Sequence, residues 1–265
     1  MTAHQSRYWR LACAVAFSAL GVEPCIAGRA AGESVVYEIT QVTNNKADLS
    51  SLPAMIRGRA EANQAAANGK KITTTLTLST DKLDDDGSAH VLASYHQSME
   101  GISGVAATAF SAAKKFQGTL TPDGRVLPAY DPGVPATLDS HGFYSEAEKE
   151  NIAAQSMLGT FGNFNTFVAG VVKHPQLKDG DVWHLVVQDA FGISRQYDFS
   201  VNASEVSMVG NFSAAHSSMK LMASGRYDSA RRLLIDYHEE NTYETAAPNG
   251  IASSGVSTST FKLVQ

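Results

Sequence analysis

The chain predicts a mainly β (α+β) fold: a curved antiparallel sheet, or an unclosed β-barrel, covered by a central helix. Three observations carry this. Runs that alternate apolar and polar residues recur in both halves, separated by turn signals such as Asp84-Asp85-Asp86-Gly87 and Pro122-Asp123-Gly124. Between the halves, one segment over 146–172 carries apolar residues at helical spacing. His174–Val187 then divides the chain: Pro175 stops a helix, Asp179-Gly180 turns, and Val182–Val187 opens a strand-rich C-terminal half.

The N-terminus reads as a leader. Arg7 and Arg10 form a positive n-region and Leu11–Leu20 is an apolar run too short to span a bilayer. Cys25-Ile26-Ala27 then supplies the small residues of a cleavage site, after Ala27 or Ala30. This predicts a secretory signal peptide over 1–27 and a periplasmic or secreted protein without a transmembrane span after cleavage. The remaining 28–265 form one β-rich domain, or two halves, 28–140 and 175–265, joined by helix 146–172. Both cysteines, Cys13 and Cys25, lie in the leader, so the exported chain is expected to rely on its core rather than on disulfides. A formal charge of −5 without Lys/Arg clusters argues against nucleic acid as a partner.

Val35–Val42, dense in β-branched residues, predicts the first strand. Pro53–Asn68 is Ala-rich with a weak apolar face and predicts a loosely packed helix or excursion ending at Gly69. Ile72–Thr80 places Ile72, Thr74, Leu76 and Leu78 on one face, and His90–Met99 returns as its partner. Gly104–Lys114 reads as a third, ambiguous strand, and Phe116–Leu120 with Arg125–Leu127 as a hairpin. A proline-bearing loop with Pro132 and Pro135 leads to Ser145 and Glu148, a capping-box pair opening a helix with Ile152, Leu158, Phe161, Phe164 and Phe167 on its apolar side. Gly159 and Gly162 predict a bend or early stop in it. The second half reads as strands Val182–Ala190, Ile193–Val201, Glu205–Phe212, Ser217–Ser224, Arg232–Thr242 and Val256–Val264. Leu233, Ile235 and Tyr237 share a face, and Pro248-Asn249-Gly250 makes the last turn.

Few motifs carry chemistry. His90, His96, His141, His174, His184, His216 and His238 show none of the close spacings that place two imidazoles on one metal, so no metal and no cofactor are expected. Counting the acidic run 81–87 as a calcium loop puts Lys82 at its first position and Ala93 at its twelfth, so it reads as a hairpin turn. No Gly-x-Ser-x-Gly elbow or phosphate loop occurs. Asp228 with Asp236, or Glu239 with Glu240, are the carboxylate pairs that glycoside hydrolysis would need. The triplets Asn202-Ala-Ser204 and Asn211-Phe-Ser213 match glycosylation acceptors and read as incidental. No catalytic residue is assigned.

The more informative set is apolar. Trp183, Phe191, Tyr197, Phe199, Met208, Phe212, Met219, Leu221 and Met222 fall on successive strands facing a helix with Phe161, Phe164 and Phe167. Phe161, Phe164, Trp183, Tyr197, Phe199, Met208, Phe212 and Leu221 are the candidate lining of a site for a lipid or other hydrophobic ligand; the same residues serve equally as the core between sheet and helix.

Leu177-Lys-Asp-Gly-Asp-Val-Trp183 looks like a Gly-Asp-x-Trp strand start, and Gly225-Arg-Tyr-Asp228 through Leu233 like a turn-and-return hairpin. On these segments the chain resembles exported bacterial β-rich proteins of unknown function and, more distantly, the periplasmic lipoprotein-carrier and lipid-binding half-barrels. It departs from the carriers in its Ala-rich stretch 53–68. The resemblance implies an unclosed barrel with helices plugging its concave side and a non-enzymatic hydrophobic-ligand role. Two further readings stand beside it: an envelope structural or interaction protein with a dry core, and a hydrolase.

Overall fold

The computed structural model describes residues 30–134, 136–138, 142–188, 194–214, 216–246 and 252–265. The leader 1–27, Pro135, His141, Phe191 and the turn at 248–250 lie outside the described residues.

Eleven antiparallel strands form one open sheet: β1 (Ser34–Ala47), β2 (Lys71–Leu83), β3 (Ala89–Met99), β4 (Lys114–Leu120), β5 (Val126–Pro128), β6 (Val182–Gln188), β7 (Ser194–Asn202), β8 (Glu205–Ala214), β9 (Ser217–Asp228), β10 (Leu233–Ala246) and β11 (Ala252–Leu263). Their order is β5-β4-β3-β2-β1-β11-β10-β9-β8-β7-β6. The first and last strands therefore pair in the middle, from Tyr37↔Leu263 to Ala47↔Ser253. Two meanders run outward from them to opposite edges.

One helix joins those edges. α3 (Glu146–Val172, 27 residues) leaves the β5 side, crosses the concave face and delivers the chain to β6. Eleven strands laid flat would span about 50 Å. A single helix nonetheless touches β4, β5, β6 and β9 and packs rings against β1, β10 and β11, so the sheet curls around it.

Two shorter helices, α1 (Ala54–Ala67) and α2 (Gly104–Ser111), lie off the sheet. α1 buries no residue, as its weak apolar face predicts. α2 falls where a strand was expected; its Gly-Val-Ala-Ala-Thr-Ala run contains strong helix formers, and Ala outranks the β-branched residues in a helix.

α3 starts at the predicted capping box, with Ser145 and Glu148 each satisfying the other's backbone N–H. It runs unbroken through Gly159 and Gly162, so the expected early stop does not occur. Ala154, Met157, Phe161, Phe164, Val168 and Val171, spaced alternately three and four apart, are all buried. That seam outweighs the ~1 kcal/mol each glycine costs a helix. Leu158, placed on the apolar side by sequence, points outward and is 44% exposed.

Side-chain amides finish what the strands leave open. Asn165 on α3 accepts from the Val126 N–H at 2.9 Å and donates to its carbonyl at 2.7 Å, pairing with the edge strand β5 as a neighbouring strand would. Asn151 does the same to Asp131, and Asn68 to Asn45 where β1 runs past the end of β2. Unpaired edge groups are templates for aggregation.

One register shift alters the sequence reading. A bulge between Leu234 and Asp236 inserts Ile235, so Leu234 and Tyr237 are buried while Ile235 leaves the core face.

Candidate functional site

The concave face divides into two parts. At one end the concave face is closed off. The β4–β5 turn meets the β9–β10 hairpin: Tyr227 donates to the Asp123 carbonyl at 2.9 Å, and Gly124, with φ +91°, lies so close to the Arg232 carbonyl that a Cβ would sit 2.3 Å from it. Above this end α3 lays its aromatic seam. The Phe164 ring meets Tyr37, Phe161, Tyr237 and Phe261 at centroid distances between 5.1 and 5.8 Å. Phe167 meets Tyr237 and Phe199. A second stack runs Phe199, Trp183, His174, with Trp183 donating to the Gly170 carbonyl at 3.1 Å. Gly170 lets the Phe199 ring lie directly against the helix: a Cβ there would lie 2.1 Å from that ring.

All eight candidate lining residues fall within this apolar core or against it. Phe161, Phe164, Met208 and Leu221 have no exposure, Phe199 and Tyr197 almost none, and Trp183 and Phe212 pack partly buried against the rest. The aromatic side chains of α3 fill the space between helix and sheet.

Beyond the helix the same face changes character. Rows across the three central strands, taken from the register, read Gln41–Ser259–Glu239, then Thr43–Ser257–Asn241, then Asn45–Gly255–Tyr243, then Ala47–Ser253–Thr245. Every second residue of β11 from 253 to 259 is Ser or Gly, so this strand forms a low floor between longer side chains of β1 and β10. Thr43 and Ser257 hydroxyls are 3.2 Å apart, and Thr245 and Ser253 2.5 Å. Tyr243 reaches across Gly255 and donates to Asn45 Oδ1 at 2.5 Å; a Cβ on Gly255 would meet both partners within 2.7 Å. Only a glycine allows that bridge. At its outer end the floor opens into a cleft of about 1280 Å³ between α1, the end of β1 and the β8–β9 and β10–β11 hairpin ends, with Gln64, Asn68, Ser217, Thr245 and Ser253 among its lining.

Glu239 marks the boundary between the parts. It is buried, and Tyr237 donates to its Oε2 at 2.8 Å. Burial pushes its carboxyl above the usual carboxylate range, opposed by hydrogen bonds from Tyr237, from Asn163 on α3, and from Ser259 and Asn241. Burial and the adjacent Glu239 in turn push the Tyr237 phenol well up. Asn241 Oδ1 is buried and has no hydrogen-bond partner among the described residues.

No protein-family model matches the chain, and no curated protein matches it in sequence. Among solved structures, it is similar to a chain from a structure titled for lipid–protein interactions in lipovitellin, with 9% identity and a TM-score of 0.39. That match covers 89% of this chain but only 25% of the lipovitellin chain, so the protein spans about a quarter of that relative's length. The S-type phycobiliprotein lyase CPES from Guillardia theta matches at 6% identity and a TM-score of 0.26, covering 84% of this chain and 85% of that one.

The other residues singled out by sequence are not assembled into a site. Asp228 accepts the N–H groups of Ala230 and Arg231 in a turn, while Asp236 pairs with Arg226. Glu239 and Glu240, neighbours in β10, point to opposite faces as strand alternation requires. The acidic run turns β2 into β3: Asp84 holds His90 at 2.8 Å and Asp86 accepts from the Ser88 N–H. His174 and His184 pair with Asp181 and Asp198. Among the described residues no group of three or more His, Cys, Asp or Glu is arranged to hold a metal ion, and no helix is long and apolar enough to cross a membrane.

Sequence reasoning missed the polar floor. Its signal was present: Ser253, Gly255, Ser257 and Ser259 alternate along a strand that otherwise ends in Phe261 and Leu263.

Proposed function

We propose that this is an exported, non-enzymatic binding protein whose ligand lies on the open half of the concave face. The observation that carries it is the polar floor itself. Hydroxyls and amides line the inward face of the two middle strands of an eleven-stranded sheet, where a purely structural protein would place apolar residues. Polar groups enclosed without partners are costly, so such a face is suited to water or to a ligand that restores their hydrogen bonds.

A second reading keeps the hydrophobic ligand. Trp183 and Phe212 are only partly buried, at the rim of the aromatic set, and give an acyl chain a foothold beside Tyr197, Phe199, Met208 and Leu221. To go deeper the chain must take the places of Phe161 and Phe164, which requires α3 to leave the concave face. A third role, an interaction protein of the envelope, uses the same dry core without a ligand.

The test is mass spectrometry of organic and aqueous extracts from natively purified protein. A polar molecule at stoichiometric amount supports the open-half site. A stoichiometric lipid moves the site beneath α3, and extracts free of both favour the interaction role.

A further inference from the structure

We infer that the floor along β11 is a binding groove for a neutral carbohydrate; this rests on the open-half reading and names its ligand class.

The groove has the chemistry of a polyol's complement. Its floor is Ser and Gly, and its walls, on β1 and β10, stand about 10 Å apart, twice the interstrand spacing. The Tyr243–Asn45 hydrogen bond spans that width over Gly255, so a sugar ring sits between the walls only by parting it. The side chains that face it, chiefly Asn241, Ser257, Asn45 and Tyr243, are amides and hydroxyls, each of which both donates and accepts. Adjacent sugar hydroxyls have the same double capacity.

Other ligand classes fit less well. An acyl chain laid here would strand several polar groups at about 1–3 kcal/mol each. Along the floor an anion finds no cation: none of the groove-facing positions of β1 beyond Ile39, of β10 beyond Tyr237 or of β11 before Phe261 is Lys or Arg, and Lys46 and Arg57 stand only in the outer cleft, where Asp48, Glu61 and Glu244 offset them. Along the floor a cation finds one carboxylate, Glu239, already hydrogen-bonded by Tyr237, Asn163, Ser259 and Asn241.

Two details sharpen the assignment. Asn241 Oδ1, at the inner end, is a buried acceptor without a partner among the described residues, and it takes a ligand hydroxyl only when the side chains over it move aside. The Tyr243–Asn45 hydrogen bond spans the groove above Gly255, between the outer cleft and Asn241. A ligand reaching Asn241 breaks that bond and lies against the Tyr243 ring, whose apolar body suits the C–H face of a sugar.

The experiment is calorimetric titration of the full chain with chito-, malto- and cello-oligosaccharides, with spermidine and palmitate alongside. The variants are Ser257→Trp, which fills the groove, and the milder Asn241→Ala, each checked for native circular dichroism. Expected is saturable binding of at least one oligosaccharide, abolished by Ser257→Trp and weakened about tenfold by Asn241→Ala, the loss of one good hydrogen bond. If Ser257→Trp does not fold, the Asn241→Ala result decides. Oligosaccharide binding unchanged in the variants overturns the placement. Binding of spermidine or palmitate alone, sensitive to Ser257→Trp, overturns the carbohydrate while leaving a concave-face binding protein. No saturable binding of any probe overturns both.

Discussion

The two halves of the concave face are built on the same strands and differ in what covers them. On β1, Tyr37 and Ile39 lie under α3 and are fully buried; Gln41, Thr43 and Asn45, continuing the same alternation, lie beyond it. On β11, Phe261 is buried and Ser257, Gly255 and Ser253 are not. Strand period alone sets which residues face inward, whereas a covering helix sets whether they must be apolar. The covered half carries stability, and the open half is free to carry recognition.

Substitutions separate the halves most sharply at their centres. Phe164→Ala removes the ring at the middle of the aromatic seam and is expected to cost about 3–5 kcal/mol in urea unfolding. Ser257→Ala, on the open floor, is expected to stay within about 1 kcal/mol, since it removes one half-buried hydroxyl. Equal losses would mean that the polar floor is core after all.

Within α3 the glycines give a second contrast. Gly170→Ala drives a methyl into the Phe199 ring and is expected to destabilise by about 1–3 kcal/mol. Gly162→Ala meets nothing within 4 Å and is expected to stabilise by up to about 1 kcal/mol. Thermal unfolding of the two variants side by side measures this, and the signs should be opposite.

The boundary residue predicts a pH dependence. Because folding raises the Glu239 pKa from its ordinary 4.5, its contribution to stability is complete below that value and is lost as pH rises through the folded-state pKa. The melting temperature should carry a downward component with rising pH on the alkaline side of 4.5, absent in Glu239→Gln. The capping box gives an opposite effect. Glu148 is held down to about 2 by Ser145 and Thr137, so its stabilisation is present above about pH 4.5 and is lost as pH falls toward 2. Glu148→Gln should flatten that acid limb.

Much of this was legible from residue patterns. The alternation in both halves places the strands, and Ser145 with Glu148 marks the start of α3, because period and capping are local signals. What failed was non-local. Ile235 leaves the core face because a bulge, invisible in the alternation, changes parity within β10. Leu158 points outward because the helix presents Ala154, Met157 and Phe161 to a sheet that curls around it. The aromatic residues were found as a set, but whether they line a void or fill one depends on how deeply α3 sits, which no spacing encodes. The floor of β11 was overlooked because Ser and Gly carry little strand signal until the strand's place at the middle of the sheet is known.

The most direct test of the division is methionine oxidation by peroxide, read residue by residue by mass spectrometry under native conditions. Met208 and Met157 lie in the covered half with exposures of 0% and 2%, while Met55 on α1 is 92% exposed. If α3 seals that half, Met55 oxidises at once and Met208 and Met157 only as fast as the whole protein unfolds. Oxidation of Met208 and Met157 at rates near that of Met55, in a protein that remains folded, would show that the helix swings away and that the aromatic half is the open one.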